Sequence, residues 1–215
     1  MNQTEIKDWE KRTGHLSKVD LLQLAMVSEI RIYENDLPKG GVLDIGIGLG
    51  SEAIYFSEKG RKVFAVDKEV YFLDRIKEIS KNNIVAFESK MPEGILPNET
   101  FALVILSNIL HFLNYSDSIS VCNKITKLMV AGSFALVRVH SKKHPYSKLA
   151  HEKNAKFKHF FSSKEVKELF PSKNFEMIFF STYQRKFSSK EVAIMGLENG
   201  AINFKDGYTM IVKKK

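Results

Sequence analysis

Five short runs of β-branched and aromatic residues recur along the first two thirds of the chain: Val42 to Ile45, Lys62 to Val66, Ile84 to Phe87, Phe101 to Leu106 and Ser133 to Val139. Segments with helical apolar spacing separate most of them. This alternation constrains the fold more than any other feature, because strands joined through helices run parallel and must be covered by those helices. The nearly continuous apolar character of the runs predicts strands buried on both faces. Helices are predicted over Ser51 to Lys59, Glu69 to Ser80 and Asp117 to Met129, with Gly60 closing the first and Gly132 following the third. Glu88 to Thr100 contains Pro92, Gly94 and Pro97 and reads as a loop. Upstream, Ser17-x-x-Asp20 opens an amphipathic stretch to about Tyr33, a leading helix whose first N–H groups the Ser hydroxyl and Asp carboxylate can satisfy.

The chain has 215 residues, 44% hydrophobic and 27% charged, which suits one domain with a continuous core. Disorder, collagen and a disulfide scaffold are excluded, since Gly and Pro are scarce and Cys122 is the single cysteine. No apolar run approaches the ~20 residues of a membrane helix, and Met1 to Lys11 lacks a signal-peptide core, so a cytoplasmic protein is expected. The net charge of +8 is unevenly placed. Residues 1–137 hold 16 Lys and Arg against 18 Asp and Glu, whereas residues 138–215 hold 17 against 7. The basic excess therefore belongs to the last third, where it is either a solvated surface or the lining of a partner site.

Gly41-Val42-Leu43-Asp44-Ile45-Gly46-Ile47-Gly48-Leu49-Gly50 places a strand, a glycine turn and a helix start in succession. Such a turn lets backbone approach a ligand, and the helix offers unbonded N–H groups. Gly48-x-Gly50-x-x-Ala53 also satisfies a relaxed dinucleotide fingerprint, with Asp67 at the distance of a ribose-binding acid. Asp44 bears on the choice. A carboxylate at the strand end repels phosphates and welcomes an ammonium or sulfonium group, unless it only bonds loop N–H groups.

These residues resemble the first motif of class I S-adenosylmethionine-dependent methyltransferases, and Val63-Phe64-Ala65-Val66-Asp67 is similar to their acidic second-strand end. Phe101 to Leu113 resembles their fourth strand and turn, and Leu128 to Ser133 their approach to strand five. The layout is loosely similar to that of small tellurite-resistance-like enzymes. The resemblance implies an α/β, Rossmann-like, doubly wound and mostly parallel seven-stranded sheet with an antiparallel last strand, near Tyr208 to Val212, in the order 3-2-1-4-5-7-6. It implies an N-terminal helical extension (1–40), a cofactor-binding core (41–140), and a basic lid loop, helix and C-terminal strands of the same domain (141–215). It further implies S-adenosylmethionine as cofactor. Asp44 and the backbone of Gly46, Gly48 and Gly50 would hold its methionine part, Asp67 both ribose hydroxyls, Glu88 and Ser89 the adenine side, and Ser107 and Asn108 the methyl-transfer side. Two departures stand out: Ala102 replaces an acidic residue of strand four, and Val130-Ala131-Gly132 lacks the usual proline. No Asn/Asp-Pro-Pro-aromatic motif follows strand four, which argues against a nucleobase amine as acceptor.

Methyl transfer needs alignment of a nucleophile and, for some acceptors, removal of its proton. His111, just past the fourth strand, is the candidate base, although its apolar neighbours also suit a packing role. Arg138, His140, His144 and Tyr146 lie on or after strand five, at the ligand edge of such a sheet, and are candidates for binding a small anionic or aromatic acceptor. An exposed linker is the alternative. The spacing of His140, His144, His151 and His159 fits no compact zinc pattern, so no metal is expected. Lys156-Phe157-Lys158-His159-Phe160-Phe161 interleaves bases and aromatics as single-stranded nucleic-acid binders do, or else packs a lid. A nicotinamide-dependent oxidoreductase and a non-catalytic nucleic-acid-binding protein of this fold remain as rival readings.

Overall fold

The computed structural model describes residues 3–26, 28–80, 83–144, 146–147, 157–186 and 204–215. Seven strands form one sheet: β1 (Gly41–Ile45), β2 (Val63–Asp67), β3 (Ile84–Glu88), β4 (Phe101–Ser107), β5 (Met129–His140), β6 (Phe175–Lys186) and β7 (Phe204–Lys214). Their order is β3-β2-β1-β4-β5-β7-β6. The sheet is mostly parallel, with an antiparallel β7, as expected. A dinucleotide-binding sheet is also mostly parallel but runs 3-2-1-4-5-6. The insertion of β7 between β5 and β6 departs from that order.

The helices are α1 (Gln3–Thr13), α2 (Lys18–Met26), α3 (Ser51–Glu58), α4 (Val70–Ile79), α5 (Tyr115–Leu128) and α6 (Ser163–Glu168). By its contacts the chain divides into two compact units, Met1–Ile105 with Leu128–Phe134 and Leu106–Lys127 with Ala135–Lys215.

In the first unit, β1 pairs in parallel with β2 and with β4, and β2 with β3. Val42, Leu43, Val63, Ala65 and Val66 are fully buried. At about 1.5–3 kcal/mol per large apolar side chain, these strands carry much of the unit's driving force. β3 departs from the expected two-sided burial: it is the edge of the sheet, its residues are half-buried or exposed, and Val85 is 38% exposed. The leading helix is shorter than expected. Ser17 and Asp20 form its start, with the Ser17 N–H donating to Asp20 Oδ2 at 2.8 Å and the Asp20 N–H to Ser17 Oγ at 3.3 Å, but α2 ends at Met26 and Ser28 is extended before a 3-10 segment over Glu29–Asp36. Arg61 then fastens the approach to β1, donating to the carbonyls of Pro38 (2.9 Å), Gly40 (3.2 Å) and Leu37 (3.3 Å).

In the second unit, β6 and β7 pair antiparallel from Phe175↔Lys214 to Lys186↔Phe204. α6 begins with a capping box: Glu165 N–H donates to Ser162 Oγ at 3.3 Å, and Ser162 N–H to Glu165 Oε2 at 2.6 Å. In the first unit, residues Val130 to Gly132, expected as a turn, belong to the start of β5. Gly132 takes φ +78° there, so the strand absorbs the bend within itself.

Candidate functional site

The glycine loop shows why each glycine is required. A Cβ on Gly50 would sit 2.1 Å from Ile76 Cδ1, and the residue caps α3 at φ +70°, so this glycine serves packing and backbone conformation. Gly48, at φ +50°, is different: an added Cβ would meet nothing closer than the Gly46 carbonyl at 3.9 Å. Open space lies over that residue, where a ligand can approach the backbone. Gly46, at φ +72°, donates its N–H to Val66 O at 2.7 Å, which stitches the turn to the end of β2.

Two acids are buried at these strand ends. Asp44 is 4% exposed within β1 and Asp67 is 9% exposed at the end of β2. Burial pushes the Asp67 carboxyl above its ordinary range, and N–H groups of Glu69, Gly48 and Lys68 pull partly against that rise. The Glu69 N–H donates to Asp67 Oδ1 at 3.0 Å. The structure thus brings Gly48 and Asp67, two residues singled out from separate motifs, onto one carboxylate. A carboxylate kept inside apolar surroundings costs free energy unless hydrogen bonds or a ligand compensate.

Glu88 lies beside Asp67 in register, and the Ser89 N–H donates to Asp67 O at 2.9 Å. The Ser89 hydroxyl is committed to its own loop, donating to Ile95 O at 2.7 Å. An open depression of about 600 Å³ is lined by Phe87, Glu88, Ser89, Lys90, Glu93, Gly94 and Ile95. Ile95 is 78% exposed there, an apolar side chain presented to solvent at the edge of a mostly apolar hollow.

In the second unit, Arg138 Nη1 donates to Ser107 Oγ at 3.3 Å, and the Asn108 N–H donates to Arg138 O at 2.9 Å. Asn108 sits at φ +60°, which turns the chain sharply after β4. His111 follows on a 3-10 turn over Leu110–Phe112 and is 1% exposed.

His111, His140, His144 and Tyr146, separated by up to 35 positions in sequence, form a ladder of nearly parallel rings. His111 and His140 stack at 3.8 Å and 11°, His140 and His144 at 4.1 Å and 29°, and His144 and Tyr146 at 5.6 Å and 22°. His140 and His144 are 8% and 2% exposed, so they are not part of a bare linker. Two imidazolium cations 3.8 Å apart would repel by on the order of 4 kcal/mol at an effective dielectric of 20. The Tyr146 N–H donates to His144 Nδ1 at 3.2 Å, which keeps that nitrogen an acceptor.

Phe157 was not distinguished in the sequence as a site residue, yet it stands edge-on to His111 (5.0 Å), His140 (5.3 Å) and His144 (6.3 Å). Backbone bonds hold its segment down. Lys158 N–H donates to His111 O at 2.9 Å, Phe161 N–H to His140 O at 2.9 Å and Lys142 N–H to Phe161 O at 3.0 Å. Phe160 and Phe161 are 5% and 0% exposed, so they are packing residues and offer no stacking platform to a nucleobase. His151 and Lys156 lie outside the described residues. Glu165 sits where this segment meets α6. Burial raises its carboxyl, but the Ser162 N–H and hydroxyl and Lys142, with Nζ 3.0 Å away, hold it at about 2. His159 is pushed down by burial, partly offset by Glu165. Among the described residues no group of three or more His, Cys, Asp or Glu side chains is placed to hold a metal ion, and no helix is long and apolar enough to cross a membrane.

Residues 42–132 match the family model described as a methyltransferase domain. Over that stretch, from β1 into β5, the chain is similar to a methyltransferase domain. Its fold agrees with solved S-adenosylmethionine-dependent methyltransferases. TehB from Haemophilus influenzae superposes with a TM-score of 0.64 at 19% identity, over 96% of this chain and 66% of TehB, so this chain spans about two thirds of that protein's length. Magnesium protoporphyrin IX methyltransferase from Synechocystis, solved with bound S-adenosylhomocysteine, gives a TM-score of 0.66 at 11% identity, covering 97% of this chain and 95% of that one. The N-methyltransferase NodS from Bradyrhizobium japonicum, also with S-adenosylhomocysteine, gives 0.59 at 12% identity, over 96% and 87%. No curated protein sequence matches the chain.

Proposed function

We propose that this methyltransferase domain uses S-adenosylmethionine and acts on a small aromatic or anionic acceptor. The observation that carries the cofactor reading is the convergence of the open Gly48 backbone and the buried Asp67 carboxylate within one unit. The fit is chemical: a two-oxygen acceptor matches the two hydroxyls of a ribose, and a glycine without a clash at its missing Cβ admits a ligand against the main chain. Asp44 adds the negative charge that a sulfonium or ammonium group favours. Glu88 and the hollow bounded by Phe87 and Ile95 supply a polar edge and an apolar wall for the adenine. When bound, the cofactor supplies a methyl group on a positively charged sulfur, a carbon open to in-line displacement.

The residues of the second unit serve the acceptor. Arg138, anchored through Ser107, offers a guanidinium to an anionic group. His111 takes the proton that a hydroxyl, thiol or amine acceptor loses as its lone pair forms the new bond to carbon. His140 stacks on its face at 3.8 Å and spreads the charge that results. Phe157 keeps water from the imidazole edges by lying across three of them. Rings at the Tyr146 and Phe157 end suit a planar acceptor by the same stacking that builds the ladder.

Isothermal titration calorimetry of the full chain with S-adenosylmethionine and S-adenosylhomocysteine tests the cofactor. Saturable binding of both is expected, and no heat at millimolar ligand would sink the reading. Parallel titration with NAD(H) and NADP(H) is expected to be silent. Oligonucleotides are expected to bind no better than their salt dependence predicts for bare charge.

A further inference from the structure

We propose that Asp206 and Ser141 are positioning residues of the acceptor site, a buried latch that fixes His140 and His144 in the ladder. This rests on the reading of the ladder as the acceptor end. Ser141 lies between the two histidines in sequence and is 0% exposed; Asp206, on β7, is 3% exposed. The Ser141 hydroxyl donates to Asp206 Oδ1. The Gln184 amide on β6 donates to Oδ2 at 2.8 Å, and the Ser141 N–H donates to the Asp206 carbonyl at 3.0 Å. Both carboxylate oxygens and the residue's own carbonyl are therefore engaged in holding this corner.

The latch transmits to the rings through short covalent and hydrogen-bonded paths. The Ser141 hydroxyl also accepts the Lys143 N–H at 3.0 Å, and the Ser141 carbonyl accepts the His144 N–H at 2.9 Å. These bonds close the turn that brings His144 back over His140. On the other side, the His140 carbonyl takes the Phe161 N–H, and Ser141 bridges to Phe161. Gly207 secures the carboxylate's place: a Cβ there would lie 2.4 Å from the Tyr183 ring and from the Val139 carbonyl. A carboxylate buried against neutral donors is a costly way to close a turn. Its worth lies in setting two rings to within a stacking distance, where a loose turn would let the imidazoles splay apart.

The test uses histidine-labelled full-length protein as wild type, Ser141→Ala and Asp206→Asn, with Ser133→Ala as control. Ser133 is equally buried and donates to Val130 O at 2.6 Å in the other unit. In the wild type, NMR should show ladder ring protons displaced upfield by stacking, and His144 held as the Nε2–H tautomer. In Ser141→Ala and Asp206→Asn at least half of that displacement is lost and the His144 tautomers average. Ser133→Ala lowers the melting temperature without moving these signals, which separates positioning from general stability. Where Asp206→Asn does not fold, Ser141→Ala decides, because it keeps the backbone bond. Unchanged ladder signals in the folded latch variants overturn the proposal. Titration with S-adenosylmethionine on the same samples keeps the two readings apart. Affinity in the latch variants should stay within twofold of wild type, since the glycine loop and Asp67 are untouched. A wild type that binds none refutes the cofactor reading while the ladder signals still judge the latch.

Discussion

Asp67→Asn should move cofactor affinity and cofactor-free stability in opposite directions. The carboxylate is 9% exposed and burial raises its pKa despite three N–H groups directed at it. A folded-state pKa above the unfolded one means that the group's stability contribution is complete below the unfolded value and is lost as pH rises through the folded value. At neutral pH the wild type therefore bears a cost that the neutral amide lacks, and the amide oxygen can still accept the Glu69 N–H. Without ligand, the variant should melt at or above the wild-type temperature at pH 7, and the gap should close as pH is lowered through the carboxylate range. Binding should suffer. Hydrogen bonds from ribose hydroxyls to a charged acceptor contribute about 1.5–3 kcal/mol, so weakening one such interaction raises Kd roughly 10- to 150-fold. Calorimetry with S-adenosylhomocysteine reads the affinity, and thermal melts from pH 5 to 8 read the stability. Affinity within threefold of wild type, or a variant less stable than wild type throughout, would refute the assignment of Asp67 as a cofactor acid maintained against its own burial.

Gly50→Ala places a methyl against Ile76 at φ +70°, and should destabilise the fold by about 1–3 kcal/mol, read by chemical denaturation; Gly48→Ala should cost less stability and more cofactor affinity. His140→Ala removes the rung with ring neighbours at 3.8 and 4.1 Å. The lost stacking and burial, about 2 kcal/mol, should lower the melting temperature by roughly 4–8 °C, while cofactor affinity stays unchanged. Glu165→Gln removes a carboxylate held at about 2 from the α6 capping box. Because that pKa is depressed, the wild-type advantage is present above about pH 4.5 and fades as pH falls toward 2. Denaturation curves should differ between the two proteins by on the order of 1 kcal/mol at pH 6 and by a smaller margin at pH 3.

Alternating apolar runs and helical spacing locate β1, β2 and β4 to within a residue or two, because central parallel strands must be apolar on both faces. β3 has a similar composition but lies at the edge, and composition does not report which neighbour a strand lacks. Amphipathic spacing persists past Met26 to about Tyr33, whereas the extended backbone at Ser28 ends the leading helix. The last strand, expected near Tyr208 to Val212, begins earlier, at Phe204. Asp206 and Gly207 lie inside it, with Tyr183 packed over the glycine and Ser141 against the carboxylate.

The sequence by itself determined the parallel core, the glycine loop and its two strand-end acids, since each is written in residues close together along the chain. It also supplied the histidines one by one. Only the tertiary structure decided that three of them stack, that Phe157 covers them and that Asp206 holds the turn between two of them. Those contacts join residues as far apart as Ser141 and Asp206, and no local periodicity encodes a pairing across 65 positions. Chain folding alone sets such distances, because ring stacking and buried hydrogen bonds depend on where the backbone brings side chains to rest.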